Sequence, residues 1–119
     1  MSNSAIRVAV HLSVRPGELD PFRKMVDELT NSVEAEEPGT RSYEWFLSDD
    51  GADCYLTEVY ADSDGLMAHL AHIGPALGPL LAIAPTSEVL VFGSVNAQAK
   101  EALEGFGARL VPRVAGFAR

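Results

Sequence analysis

The clearest pattern near the start of the chain is an alternation of apolar and polar residues from Ile6 to Val14. A period of two over this length predicts a half-buried β-strand with one face in the core. The Arg15-Pro16-Gly17 segment ends the strand, since proline cannot donate to a ladder and glycine allows the turn. Apolar residues at three- and four-residue spacing then predict a helix that starts at Asp20-Pro21, with Asp20 as N-cap, and ends at Pro38-Gly39.

Two strands and a hairpin turn are predicted next. The strands cover Arg41–Ser48 and Cys54–Ala61, where aromatic and β-branched residues are frequent. Asp50-Gly51 between them is a strong hairpin signal, because both residues tolerate the backbone conformations of a tight turn. The two segments therefore predict an antiparallel pair.

The rest of the chain predicts a helix, a strand and an appended segment. Asp62 or Ser63 caps the helix, which Gly74-Pro75 interrupts. Residues 87–95 are apolar on both faces, as in a central strand. Residues 96–119 are predicted to form a short C-terminal helix capped by Asn96, followed by an extended tail that docks on the body or on a partner.

The element order is β-α-β-β-α-β, which predicts an α+β, ferredoxin-like fold. Its four-stranded antiparallel sheet carries helices on one face, and residues 1–119 form a single domain. The other face of such a sheet needs a cover. We expect this cover to be a second copy of the chain, which gives a homodimer.

Composition and charge narrow the function classes. The formal net charge of −8 disfavours nucleic acid and anionic membranes as partners. The chain has no run of about 18 apolar residues, so no membrane span is predicted. The first ten residues lack the pattern of a signal peptide. A single cysteine, Cys54, excludes an intramolecular disulfide, so a cytoplasmic location and an inert thiol are expected.

No phosphate-binding loop, dinucleotide fingerprint, zinc motif or nucleophile elbow occurs in the sequence. The candidate chemistry lies on the hairpin, where Glu58 shares a strand face with Leu56 and Tyr60. Glu58 can be an edge charge that faces water. It can also be a carboxylate in an apolar pocket, where desolvation raises its pKa into the range of a general base. Tyr43 and Trp45 share one face of the other strand, as core residues or as pocket walls.

Two histidines follow on the second helix. At 100° per residue, His69 lies at the edge of the apolar stripe that begins at Leu66, and His72 lies further toward solvent. His69 is therefore the histidine that can reach a cavity and transfer protons, or it is a half-buried helix histidine bonded to backbone. A metal site is a weak option, because no third ligand accompanies the pair. His11, on the polar face of the first strand, is expected at a surface or interface.

An ordered set of short motifs over about residues 6–95 resembles the antibiotic biosynthesis monooxygenase (ABM) family. The motifs are Pro38-Gly39, Ser42-Tyr43-Glu44-Trp45, Asp49-Asp50-Gly51, Glu58-Val59-Tyr60-Ala61-Asp62 and Ala68-His69-Leu70. The chain departs from the family pattern after the last motif. Many members carry a second histidine there in a Pro-His-Phe context, whereas this chain has His72 followed by Ile73-Gly74-Pro75.

The resemblance implies a dimeric α/β barrel and a cofactor-independent monooxygenase that uses O2 on a small phenol or quinol, without metal. It implies Glu58 and His69 as the catalytic proton-transfer groups. The implied substrate-binding residues are Tyr43, Trp45, Tyr60 and Leu66. Two alternatives share the fold: a non-catalytic dimeric module for ligand binding or assembly, and a haem-binding relative that uses His69.

Overall fold

The computed structural model describes residues 4–119. The first three residues of the predicted domain lie outside this range. In chain order the elements are β1 (Ile6–Ser13), α1 (Leu19–Glu36), β2 (Thr40–Leu47), β3 (Asp53–Tyr60), α2 (Ser63–Ile83), β4 (Thr86–Phe92), α3 (Ala97–Gly105) and β5 (Arg109–Val111).

The strands form one sheet in the order β2-β3-β1-β4-β5. All pairs among strands β1 to β4 are antiparallel, which confirms the ferredoxin-like arrangement. The sheet also has a fifth strand that the sequence pattern did not predict. Part of the predicted tail, β5, pairs parallel to β4 through Leu90↔Arg109 and its neighbours, so the tail docks on the body of its own chain.

The start of α1 differs from the prediction. The helix begins at Leu19, with Glu18 at the N-cap position, and no side chain caps it. Asp20 is thus inside the first turn and is not the N-cap. Pro21 is tolerated there because the first N–H groups of a helix have no intrahelical partner, and Phe22 N–H makes the first bond, to the Glu18 carbonyl (3.0 Å).

The predicted break of α2 at Gly74-Pro75 is wrong, because the helix runs unbroken through Pro75 and Pro79 to Ile83. Each proline follows a glycine, and a residue without Cβ avoids the clash that keeps other residues before proline out of the helical conformation. Both prolines lie on the exposed side. By length and composition alone α2 could cross a membrane. In this domain its inner side, which includes Leu66, His69 and Leu80, is buried.

The last predicted strand is shorter than expected. β4 covers Thr86–Phe92 rather than residues 87–95, and Gly93 ends it with a positive φ of 113°. Its last three residues lie between β1 and β5, yet only Val91 is fully buried, so β4 is not buried on both faces. The predicted cap of the C-terminal helix is confirmed, since the Asn96 side chain accepts from Ala99 N–H (2.9 Å).

Two buried clusters form the core between the sheet and the helices. One contains Ile6, Val8 and Tyr60 and is joined by α3 through Leu103. The other surrounds Phe22 at the opposite end of the sheet. The outer face of the sheet stays open in the single chain and carries large exposed aromatic residues, which are Phe46, Tyr55 and Phe92.

A backbone contact between two glycines joins the entry of β2 to the first turn of α2. A Cβ on Gly65 would lie 2.9 Å from the Gly39 carbonyl oxygen, and a Cβ on Gly39 would lie 2.9 Å from the Gly65 Cα. Real Cβ atoms do not approach backbone this closely, so both positions require glycine for close approach. The contact holds the end of α1 next to α2.

We expect Gly65→Ala to lower the free energy of unfolding by about 1–3 kcal/mol, because the new methyl group has to separate two backbone segments. Chemical denaturation measures the change. Gly105→Ala is the matched control, since a Cβ there meets nothing within 4 Å and improves helix propensity by up to about 1 kcal/mol. Equal stability of both variants would contradict the tight contact.

Candidate active site

A cavity of about 130 Å³ lies between α2 and the sheet. It takes wall residues from both core clusters, for example Val8 from one and Leu56 from the other. Its lining is mainly apolar, and Glu58 and His69 are the titratable acid and base on it. The cavity thus joins an apolar space to one polar end.

Glu58 is placed on the inner side of β3 by the strand alternation that also buries Leu56 and Tyr60. Only 6% of Glu58 is exposed, so the carboxyl group belongs to the pocket and not to the sheet edge. The Tyr60 hydroxyl donates a hydrogen bond to Oε1 of Glu58. Burial raises the pKa of Glu58 to about 7, although the bond from Tyr60 lowers it and the charge of Glu37 raises it further.

His69 faces Glu58 from α2 and is 2% exposed. Its Nδ1 lies 2.7 Å from Oε1 of Glu37, and its Nε2 lies 3.5 Å from Oε1 of Glu58. An ionised Glu37 can only accept, so Nδ1 carries the proton and Nε2 of the neutral ring is free to accept one from the cavity side. Burial lowers the pKa of His69, against the opposing effect of Glu37. Glu58 and His69 can therefore share one proton at the cavity.

Glu37 belongs to the candidate site through its contacts with both histidines, and the sequence pattern did not point to it. It lies directly after the last residue of α1, is 5% exposed, and accepts from Thr40 Oγ1 (2.7 Å) as well as from His69. Burial raises its pKa, but the hydrogen bonds from Thr40, His72 and His69 outweigh this effect and the pKa is lowered. The sequence does contain one signal that could have identified it. Acidic residues at the C-terminus of a helix are unfavourable because they oppose the helix dipole, and α1 ends with two of them, Glu36 and Glu37.

His72 joins the same carboxylate from the solvent side. Its Nδ1 lies 2.5 Å from Oε2 of Glu37, its Nε2 lies 2.9 Å from Ser32 Oγ, and 27% of its side chain is exposed. The hydrogen bond to Glu37 raises the pKa of His72 above its ordinary value, which burial opposes only in part. The helical spacing thus separates the two histidines as predicted, yet Glu37 bridges them.

The aromatic candidates occupy different places. Tyr43 and Trp45 line the cavity and meet edge to face, with ring centroids 5.6 Å apart, and Leu66 also lines it. Tyr60 is not among the wall residues and is fully buried behind Glu58. Its geometry suits a donor to Glu58 rather than a substrate contact. Burial and the charge of Glu58 raise the pKa of Tyr43, so its phenol stays neutral.

Trp45 carries an unused donor. Its Nε1 is buried and has no hydrogen-bond partner among the described residues. Burying an unpaired N–H costs free energy, and native structures satisfy nearly all such groups.

Two other candidates lie away from the cavity. His11 is on the open face of the sheet, stacked on Tyr55 at 4.6 Å between centroids and bonded through Nε2 to Asp53 (2.8 Å). Cys54 is buried in the core, and burial raises the pKa of its thiol. Neither residue contributes to the cavity.

His69, the residue that a haem-binding relative would use, directs Nδ1 at Glu37 and Nε2 toward Glu58. Within residues 4–119, no group of three or more His, Cys, Asp or Glu side chains is placed to hold a metal ion.

The chain was compared with known families and structures. A family model described as antibiotic biosynthesis monooxygenase matches residues 5–73, which include every residue of the Glu58–His69–Glu37–His72 network. No curated protein sequence matches significantly.

Three solved structures are similar in fold. MupZ from Pseudomonas fluorescens is similar over 97% of this chain and 94% of its own, with a TM-score of 0.85 and 20% identity. Rv0793 from Mycobacterium tuberculosis is similar over 78% of this chain and 97% of its own, with a TM-score of 0.68 and 24% identity. SnoaB from Streptomyces nogalater, a cofactor-independent oxygenase, is similar over 79% of this chain and 96% of its own, with a TM-score of 0.65 and 18% identity. The similarity to MupZ extends over nearly the whole chain and therefore includes α3 and β5.

Proposed function

We propose that this chain, which belongs to the antibiotic biosynthesis monooxygenase family, oxygenates a small phenol or quinol with O2 and without a cofactor. The observation that carries the proposal is the buried Glu58–His69 pair at one end of an otherwise apolar cavity. SnoaB, which shares the fold, is a cofactor-independent oxygenase. A non-catalytic module has no need of a buried carboxyl group whose pKa is raised to about 7.

The size of the cavity favours a substrate with a single aromatic ring. An apolar protein cavity of about 150 Å³ binds benzene, and the space here is about 130 Å³. Substituents can extend toward Phe106, which lines the cavity and is 48% exposed. We therefore propose a monocyclic quinol, held between the rings of Tyr43 and Trp45 and the side chain of Leu66.

The reaction can proceed with these residues alone. Glu58 takes the proton of a ring hydroxyl group, in a pKa range suited to a general base near neutral pH. The phenolate gives one electron to O2, and the phenoxyl radical and superoxide combine to a peroxide on a ring carbon. Return of a proton to this peroxide and loss of water give the oxidised product. One quinol and one O2 thereby give one hydroxyquinone and one water.

The cavity walls would orient the substrate. Tyr43 and Trp45, which meet edge to face at the wall, would hold the ring, and Glu58 would take the hydroxyl proton at the polar end. Apolar walls limit the access of water, which strengthens electrostatic interactions inside and protects the radical pair.

Oxygen uptake with a panel of monocyclic quinols tests the proposal. The expected result is consumption of O2 by the wild-type protein, with one atom of isotope-labelled O2 in the product and no hydrogen peroxide. Uptake equal to that of Glu58→Gln for every quinol would reject it. Return of O2 on addition of catalase would indicate simple oxidation instead of oxygenation.

We further propose that the protein is a cytoplasmic homodimer that pairs through the open face of the sheet. Phe46 and Tyr55 are direct cross-strand partners on this face, and both are about half exposed. Aromatic residues are enriched in interfaces, and exposed aromatic patches mark them. The cover of this face would close the barrel.

Phe46→Asp is expected to convert the dimer to a monomer, because a charge at the centre of an apolar interface cannot be desolvated without a partner. Sedimentation velocity measures the change. Phe117→Asp is the control, since Phe117 is more exposed but lies in the tail outside the sheet. A wild-type protein that sediments as a monomer would reject the dimer.

A further inference from the structure

A continuous row of titratable groups connects the cavity with the protein surface. It begins at Glu58, continues through His69 at 3.5 Å and Glu37 at 2.7 Å, and reaches His72 at 2.5 Å. Each of the two histidines directs its Nδ1 at a different oxygen of the Glu37 carboxylate. The row passes from the Glu58 side chain, which is 7% exposed, to the His72 side chain, which is 27% exposed.

The outer end of the row has acceptors that lead into water. His72 Nε2 lies 2.9 Å from Ser32 Oγ, and Ser32 in turn donates to Oε2 of Glu36 (3.1 Å). Glu36 also lies 3.6 Å from His72 Nε2, and its side chain is 66% exposed. The other groups around the row are Thr40, which donates to Glu37, and the rings of Tyr43 and Tyr60 beside His69.

We infer that this row is a proton relay, in which His72 exchanges protons between solvent and the cavity carboxyl group of Glu58. The proposed oxygenation uses Glu58 in both protonation states, because the carboxylate takes the substrate proton and a proton returns when the peroxide forms. Although the two events cancel over one turnover, the row lets Glu58 change its protonation state with solvent between them through side chains alone.

Each transfer is balanced. A proton moves from Glu58 to Nε2 of His69 while the Nδ1 proton of His69 passes to Oε1 of Glu37. Glu37 holds this proton while a protonated His72 releases its Nε2 proton through Ser32 or directly to water and keeps the Nδ1 proton that it donates to Oε2 of Glu37. The return of one proton per turnover reverses these steps and restores the original tautomers. No net proton is gained or lost by the protein.

The position of His72 distinguishes a relay from a purely structural role. A histidine needed only to neutralise Glu37 could donate one bond and leave its second nitrogen in any environment. Here the second nitrogen lies at the boundary with solvent and within reach of a hydroxyl group. Histidine is also the side chain that can both accept and release a proton near neutral pH. The hydrogen bond to Glu37 raises the pKa of His72 and so favours its protonated form.

His72→Asn tests the relay, because the Asn amide can still donate to Glu37 but cannot transfer a proton. In weak buffer we expect turnover of hydroquinone to fall by about tenfold or more. Added imidazole is expected to restore the rate of the variant in a saturable manner and to leave the wild type unchanged. Glu34→Gln, which changes an exposed titratable group of α1 outside the row, is expected to have no effect.

The turnover part of this test rests on the proposed function, so a second measurement uses the protein alone. After a pH jump across 7, infrared spectroscopy follows the carboxyl band of Glu58, which Glu58→Gln identifies. In His72→Asn this band is expected to change about tenfold more slowly than in the wild type, and imidazole should restore the rate. Equal rates in both proteins would overturn the relay, whatever the activity. A slow band in the variant without oxygen uptake by the wild type would support the relay and reject the proposed function.

Discussion

Glu58→Gln is expected to remove most of the oxygen uptake and, at the same time, to stabilise the folded protein above pH 7. A positioned general base typically contributes a factor of about 10²–10⁴ to the rate. Glutamine has nearly the same shape and still accepts a hydrogen bond from Tyr60, but it cannot take a proton from the substrate. We therefore expect a loss of this size in kcat/KM for any quinol that the wild type oxidises.

The stability effect follows from the direction of the pKa shift. The pKa of Glu58 rises from an ordinary value of 4.5 to about 7 on folding. Between these two values the unfolded chain has lost the proton and the folded protein retains it, so the free energy of unfolding falls as the pH rises. The shift corresponds to about 3 kcal/mol of the free energy of unfolding, and this contribution is fully lost above pH 7. Glutamine carries no such penalty.

Chemical denaturation of both proteins between pH 4.5 and 8 measures this difference. The variant should be more stable by about 3 kcal/mol at pH 8, and the gap should close toward pH 4.5. Glu34→Gln makes the same chemical change at an exposed position of α1 and should leave the pH profile unchanged. Parallel profiles for Glu58→Gln and the wild type would mean that the Glu58 carboxyl group is solvated. An activity–stability trade-off of this kind is expected where a site stores an unfavourable ionisation.

The sequence contained enough information for the four antiparallel strands and for the side chains that face the cavity. Strand alternation alone places Glu58 on the same side as Leu56, and helical spacing alone directs His69 inward. These predictions depend on residues that are near one another in sequence, where the period of the element decides the direction of each side chain. The walls formed by Tyr43 and Trp45 follow from the same rule.

The missed features depend on packing between distant segments. Glu37 is followed by Pro38-Gly39 and resembles an ordinary helix end, but its partners are 32 and 35 residues further along the chain. Local composition cannot reveal a carboxylate whose environment comes from another helix. The unbroken α2 also depends on context. Proline usually ends a helix because it lacks an N–H and because it clashes with the residue before it. Here the residue before each proline is glycine, which avoids the clash, and the prolines face solvent, where water can satisfy the carbonyl group left without a donor.

Glu37→Gln is expected to be strongly destabilising, although it changes one atom of a residue at the end of a helix. The carboxylate accepts from His69, His72 and Thr40. Glutamine offers one oxygen, so its amide group must face a histidine N–H. Hydrogen bonds to charged groups contribute about 1.5–3 kcal/mol each, and we expect a loss of about 3 kcal/mol at pH 7. Thermal or urea unfolding measures it, with Glu36→Gln as a neighbouring, exposed control that should change stability by less than about 0.5 kcal/mol.

The pH dependence of this loss separates the ionised network from simple packing. The pKa of Glu37 is lowered below its ordinary value of 4.5 in the folded protein. The stabilisation is therefore fully present above pH 4.5 and disappears as the pH falls through the lowered native pKa, where the wild-type carboxylate is itself protonated. The stability gap between Glu37→Gln and the wild type should close over that acidic range. The pKa of His72, measured by NMR, should also fall in the variant, because the hydrogen bond to Glu37 is the main cause that raises it. A gap that persists in acid, together with an unchanged pKa of His72, would mean that Glu37 acts through its shape and not through its charge.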